Sequence, residues 1–242
     1  MEMLRSANDG HTLLLANNDA AVMTPNLTDV GYSPADIAPI AQIASLSTGI
    51  YVRPESGIET VEDLLRVAEE NFGRMTFGST GAGSVHHVVG EMLQHAVGKP
   101  GLFNHVPFNS GTENLAALLG GHVDFSLSSS SYAPSYAQLR MLAVSAEDGC
   151  PMNPDVPSLR SLGYDVAMEM WFGFSAPAGT PVDILDMLDA AIRDSLADPE
   201  IIQAYRNLGS NIHYMNRADF TYKWLSEYYR MRDVLTQIGF MD

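Results

Sequence analysis

"FGSTGAGSVHHVVGEML", residues 77–93, begins as a turn and ends as a helix. Gly78, Gly81 and Gly83 are packed into positions 78–84, with Ser79, Thr80, Ala82 and Ser84 between them. Val85, Val88, Val89, Met92 and Leu93 then recur at helical spacing. A short strand at Arg74–Phe77 leads in. A strand that feeds a glycine-rich turn and opens a helix is the building unit of an α/β fold. The first turn of such a helix presents amide hydrogens with no internal partner, and the helix dipole adds partial positive charge there. Glycine lets the backbone approach a ligand closely and take positive φ. Ser79, Thr80 and Ser84 add hydroxyl donors. The combination reads as an uncharged cradle for a carboxylate or phosphate. The competing reading is a tight strand-to-helix turn with no ligand. A nucleotide loop does not fit. The Walker pattern needs Lys–Ser/Thr after its last glycine, and the Rossmann spacing needs glycine where His86 stands.

Outward from this stretch, strand and helix signals alternate. "HTLLLAN" (11–17) reads as a buried strand ended by Asn17, Asn18 and Asp19. Two further strands are expected around Ile40–Ala44 and Gly49–Val52, stopped by Pro54. "TVEDLLRVAEENFG" (60–73) is a helix capped by Thr60 and ended by Gly73. Strands follow at 102–108, 122–129 and 139–146, and "GTENLAALLGG" (111–121) is a helix with Thr112 as its expected cap. One more strand is expected at Met170–Ala176, where Trp171, Phe172 and Phe174 read as core or hinge packing. Two helices separated by Asp198–Pro199 and a last amphipathic helix over 217–239 complete the chain. The alternation predicts parallel-dominated sheets flanked by helices.

Composition excludes several classes. The 242 residues carry 29 acidic and 13 basic side chains, for a net charge of −16, with Lys99 and Lys223 the two lysines. That surface repels nucleic acid and anionic lipid. No stretch approaches the ~18 apolar residues of a membrane span, so direct membrane insertion is not expected. Cys150 is the single cysteine, which rules out an intramolecular disulfide or a cysteine-based zinc cluster. His86 and His87 are adjacent on a helix and point about 100° apart, while His95 and His105 lack ligand spacing. No metal or cofactor is expected, and these histidines read as packed or capping. The serines at 126 and 128–131 raise the question of a hydrolase, but no G-x-S-x-G elbow surrounds them. They read as a strand-end loop lining something polar. "MEMLRSANDG" has no apolar core of a signal peptide.

Several segments, in one order, match a known family. "NDGHTLLLAN" resembles P-D-G-Y-T-L-L, and "YSPADIAPIAQIA" resembles Y-D-P-x-x-D-F-x-P-V. The opening stretch resembles Y-G-S-x-G-x-G-(S/T)-x-x-H-L-x-G-E. "HVPFNSGTENLAALLGGHVDF" resembles H-V-P-Y-(K/R)-G…L-L-G-G-x-V-D. "RMLAVSA", "PDVPSLRSLGY" and "WFGFSAPAGTPVDILDMLDAAI" follow in the same order. Over nearly its whole length the chain resembles the periplasmic solute-binding proteins of tripartite tricarboxylate transporters, the TctC or Bug (Bordetella uptake gene) family.

The resemblance implies a two-lobe, type II-like periplasmic binding protein, with lobe 1 at 1–45 and 170–242 and lobe 2 at 46–169. It implies capture of a small di- or tricarboxylate in an interlobe cleft, without catalysis, for delivery to membrane permease subunits in the periplasm. Two loops would grip the ligand. One is Ser79, Thr80, Gly81, Ala82, Gly83 and Ser84, with Ser128 nearby; the other is Asn17, Asn18 and Asp19. The family's signal peptide and first strand, G-G-x-x-D loop and helix have no counterpart here, roughly 60 residues. The resemblance therefore also implies a binding-impaired fragment as an alternative, and a small-molecule hydrolase is the alternative of a different class. Asp19 replaces a usual small residue, and a poorly solvated carboxylate there would repel an anion by about a few kcal/mol. Ser128–Ser129 stand where many members have Asp-Asn, and Asn109 where Lys or Arg is common.

Overall fold

The structure, a computed structural model, describes residues 2–241. The chain divides into two compact units. One holds the chain up to Ser45 and again from Met170; the other is Leu46–Glu169. The expected first lobe's terminal Met1 and Asp242 lie outside the described residues. In chain order, β1 (Leu14–Asn17) passes through one π-helical turn into α1 (Thr24–Leu27), and β2 (Ile37–Val52) follows. Next come α2 (Val61–Glu70), β3 (Met75–Ser79), α3 (Val85–Ala96), β4 (Phe103–Pro107), α4 (Gly111–Leu119) and β5 (Phe125–Ser129). After β6 (Arg140–Val144) and β7 (Glu169–Pro177) the chain makes α5 (Val182–Leu196), α6 (Pro199–Asn207), β8 (Asn211–Met215) and α7 (Arg217–Gln237). No helix among the described residues is long and apolar enough to cross a membrane.

In the Leu46–Glu169 unit, β3 lies parallel to both β4 and β5, with Ser79 opposite Pro107 and Phe77 opposite Phe125. Each connection between these strands is a crossover helix, which parallel pairing requires. Helix α3 packs on β3 and β5, with Val85, Val88, Val89 and Leu93 buried. Gly90 makes that approach possible. A Cβ there would sit 2.5 Å from the Phe77 ring. Thr60 caps α2, its side chain accepting from the Asp63 amide at 3.0 Å.

The other unit pairs β1 antiparallel with β7, places β7 beside β2, and pairs the first half of β2 antiparallel with β8. Its core is aromatic. Trp171, Phe220 and Trp224 are fully buried, and the Trp171 and Trp224 ring centroids lie 5.4 Å apart. Gly173 leaves room for the edge of Phe220, which a Cβ would meet at 2.4 Å.

The structure differs from the sequence expectation in four places. The parallel character holds in the β4–β3–β5 block, whereas β2 is antiparallel to β5, β6 and β8, and β1 is antiparallel to β7. The two strands expected within 37–56 are one 16-residue strand, β2. Its polar middle stays extended because its side chains are bonded: Ser45 Oγ meets His213 Nδ1 at 3.0 Å, and Thr48 Oγ1 meets His86 Nδ1 at 2.9 Å. Strand β8 carries no clear alternation, since all five of its residues are half-buried, and only pairing with β2 defines it. Ser110, not Thr112, caps α4. Its Oγ accepts from the Glu113 amide at 3.1 Å, while Glu113 Oε2 accepts from the Asn109 amide. Glu113 thus ties down the residue before the cap, while Ser110 itself caps the helix.

Candidate functional site

The 79–84 turn joins the C-terminal end of β3 to α3. Gly81 and Gly83 take φ of +120° and +75°, a region that side chains with a Cβ avoid. Gly78 is a glycine for another reason. A Cβ there would lie 2.0 Å from Asn114 Oδ1, and Asn114 is fixed by bonds to the Leu127 carbonyl and the Ser126 hydroxyl.

The turn is cross-braced on the Gly81 carbonyl. That oxygen accepts from Ser84 Oγ at 2.8 Å, from Ser79 Oγ at 3.1 Å and from the Ser84 amide at 3.3 Å. Ser84 is also the N-cap of α3, accepting from the His87 amide at 3.3 Å. The hydroxyls of Ser79 and Ser84, expected to face a ligand, are thus spent inside the turn. Ser79 is fully buried and Ser84 nearly so. Among the described residues, the Thr80, Gly81 and Ala82 amides meet no protein acceptor, and Ala82 is exposed. Three consecutive amide donors, held by a brace and set before a helix, gather partial positive charge at one spot.

Two histidines complete the brace. The Gly83 amide donates to His87 Nδ1 at 3.0 Å, and His105 Nε2 lies 2.7 Å from Ser79 Oγ. Their rings stack with centroids 3.5 Å apart and planes 15° from parallel. Burial, with His87 beside it, pulls the His105 pKa down to about 4. His86 turns the other way, to Thr48, and burial pulls its pKa down to about 4 as well. In sequence these histidines read as packed or capping, and their contact with the turn is seen only in the structure. The signal was register: His105 pairs with Phe77, two residues before Ser79, and so shares its face of the sheet.

Ser128 lies at the end of β5, fully buried. Its hydroxyl has no hydrogen-bond partner among the described residues and sits 3.0 Å from where a Gly111 Cβ would stand, at the start of α4. Ser126 donates to Asn114, and Ser129 pairs with Ser131. Asn17, Asn18 and Asp19 belong to the other unit. Asn17 Oδ1 accepts from the Ala20 amide at 3.0 Å, and buried Asn18 Oδ1 accepts from the Trp171 amide at 3.4 Å. Both side chains thus tie the strand end to its surroundings. Asp19 opens the π-helical turn and is half-buried. No group of three or more His, Cys, Asp or Glu side chains among the described residues is arranged to hold a metal ion.

Comparison with known proteins agrees with this architecture. A protein of Cupriavidus necator, "UPF0065 protein in gbd 5'region", is 30% identical over 221 residues, which span 90% of this chain and 67% of the relative. A Pseudomonas relative is spanned to 62% of its length. The chain thus covers about two thirds of the curated relatives it matches. Among solved structures, Rpa4515 of Rhodopseudomonas palustris with adipate superposes with a TM-score of 0.85 at 22% identity, covering 98% of this chain and 81% of that one. MatC (Rpa3494) of Rhodopseudomonas palustris with bound malate gives 0.80 at 22% identity, covering 97% and 82%. These two show the shared fold. The sequence model of one family, "Tripartite tricarboxylate transporter family receptor", matches residues 1–240, and the chain belongs to that family, TctC.

Proposed function

We propose that this chain is a periplasmic solute-binding receptor for a small organic di- or tricarboxylate, which it delivers to the permease subunits of a tripartite transporter. The observation that carries the reading is the run of three partnerless amides at Thr80, Gly81 and Ala82, presented by a turn that the Ser79 and Ser84 hydroxyls and the Gly83 amide hold still. A carboxylate meets such donors in charge-assisted hydrogen bonds, each stronger than a neutral one. Fixed donors cost little reorganisation when the anion arrives. Family membership and the adipate and malate held by two structural neighbours support the substrate class. Ser128 is a further contact in this reading, since its buried hydroxyl lacks a protein partner.

The chemistry requires no covalent step. The Ser79–His105 contact resembles a nucleophile–base pair, but Ser79 is fully buried and braces the turn. Calorimetric titration with malate, adipate, succinate and citrate tests the proposal. At least one of the four is expected to bind, and Thr80→Pro, which removes an amide donor, is expected to weaken it about 10-fold or more. Absence of binding by all four, or full affinity in Thr80→Pro, would overturn it.

A further inference from the structure

We propose that the stacked His87–His105 pair is the positioning device of the 80–82 amides, and that it holds them in binding geometry only while His87 is neutral. The inference rests on the reading of those amides as the ligand contact. Two of the anchors that fix the turn end on the two imidazoles: the Gly83 amide on His87 Nδ1 and the Ser79 hydroxyl on His105 Nε2. The three ligand-facing amides lie between these anchors.

Hydrogen-bond bookkeeping assigns the tautomers. His87 Nδ1 accepts from the Gly83 N–H, so it carries no proton. The proton of neutral His87 is then on Nε2, which faces Glu91 Oε1 at 3.6 Å. Glu91 is itself oriented. Its Oε2 accepts from Gln94 Nε2 at 2.9 Å, and Gln94 Oε1 accepts from the Phe103 amide at 2.8 Å. A chain of contacts therefore runs from the start of β4 through Gln94, Glu91 and His87 to Gly83. Ser79 gives its proton to the Gly81 carbonyl, so His105 Nε2 donates to Ser79 Oγ.

Protonation of His87 reverses one link of this chain. A charged imidazole donates from both nitrogens, so Nδ1–H would face the Gly83 N–H and the bond would be lost. His105 lies 3.5 Å away, ring to ring. The low pKa of His105 keeps that ring neutral through the same range. The ionisable groups on the adjoining elements have other partners or a single role. Glu91 on α3 faces His87 Nε2 and is held by Gln94. His86 on α3 bonds Thr48. Glu113 on α4 is tied to Asn109. Asp124, before β5, accepts from Thr76 on β3. Phe77 packs against both rings and carries no charge. The 80–84 turn contains no ionisable side chain. His87 is therefore the group that couples proton concentration to the turn.

The test uses the full chain labelled with nitrogen-15, and malate and adipate as probes. On lowering the pH from about 8 to about 5, the Gly83 amide resonance is expected to move together with the His87 ring nitrogens. Probe affinity is expected to fall about 3- to 10-fold over the same range, the factor that one lost hydrogen bond is worth. His87→Asn keeps an acceptor near the Nδ1 position and cannot take a charge. It is expected to retain binding and to flatten the pH profile. His87→Leu removes the acceptor and is expected to bind as weakly at about pH 8 as the parent chain does at about pH 5. A Gly83 amide indifferent to the His87 titration would overturn the inference. So would a His87→Asn variant that keeps the parent's pH dependence. If neither probe binds the parent chain at any pH, the carboxylate reading fails instead, and the coupling of Gly83 to His87 still decides whether the pair sets the turn.

Discussion

His86 is sealed in the interior, bonded through Nδ1 to Thr48 on β2, and burial lowers its pKa from 6.5 to about 4. The unfolded chain therefore binds the proton first as pH falls. Stability attributable to His86 is complete above about pH 6.5 and is lost progressively toward pH 4, by about 3 kcal/mol in all. His105 is shifted in the same direction and adds to the slope. Urea denaturation at several pH values between these limits is expected to show the loss, and His86→Gln is expected to reduce the slope, leaving the share of His105. An unchanged slope in that variant would count against His86. At this scale the sequence was half legible. The positive φ of Gly81 and Gly83 follows from a glycine-rich turn. The close approach of Asn114 that makes Gly78 a glycine depends on a residue 36 positions away, and spacing within the turn carries no trace of it.

Helix α4 shows what local signals decide. Thr112 and Ser110 both stand near its start, and both residue types make good caps. The backbone chooses Ser110 because Glu113, three residues on, can reach back to the Asn109 amide. Ser110→Ala is expected to cost about 1 kcal/mol and Thr112→Ala much less. Chemical denaturation of the two variants checks the order, and equal costs would contradict the cap assignment. Helices α2 and α3 were readable because their caps and apolar stripes agree. Strand β2 was not readable as one element. Its buried Ser45, Ser47 and Thr48 look like a break in sequence, and only partners from distant segments, His213 and His86, make the extended path stable. For the same reason the brace of the candidate turn was invisible. His87 and His105 are 18 residues apart, and the parallel pairing of β3 with β4 brings them to stacking distance.

At the scale of the whole molecule, the net charge of −16 opposes an anionic ligand at long range. A cradle of neutral amide dipoles acts only at contact. Association of a dicarboxylate is therefore expected to speed up as ionic strength rises from about 10 mM to about 100 mM, because the screening length shrinks from about 30 Å to about 10 Å. Rapid-mixing kinetics at the two salt concentrations measure it. A rate that falls with salt would mean that a local positive field outweighs the surface. The architecture was legible in the order of its motifs, which is why the family could be read before the fold. The mixed strand directions were not, since connection length fixes which strands are parallel but not how a long strand is shared.

The buried Trp171–Trp224 pair has a practical consequence. These are the two tryptophans of the chain, and both lie in the unit that does not contain the 79–84 turn. Intrinsic emission therefore reports on the environment of a single unit, and both indoles are buried within it, closed to direct contact with a solute. A fluorescence-quenching screen that returned no signal would be silent about occupancy. A tryptophan introduced at exposed Ala82 would give that turn its own optical reporter.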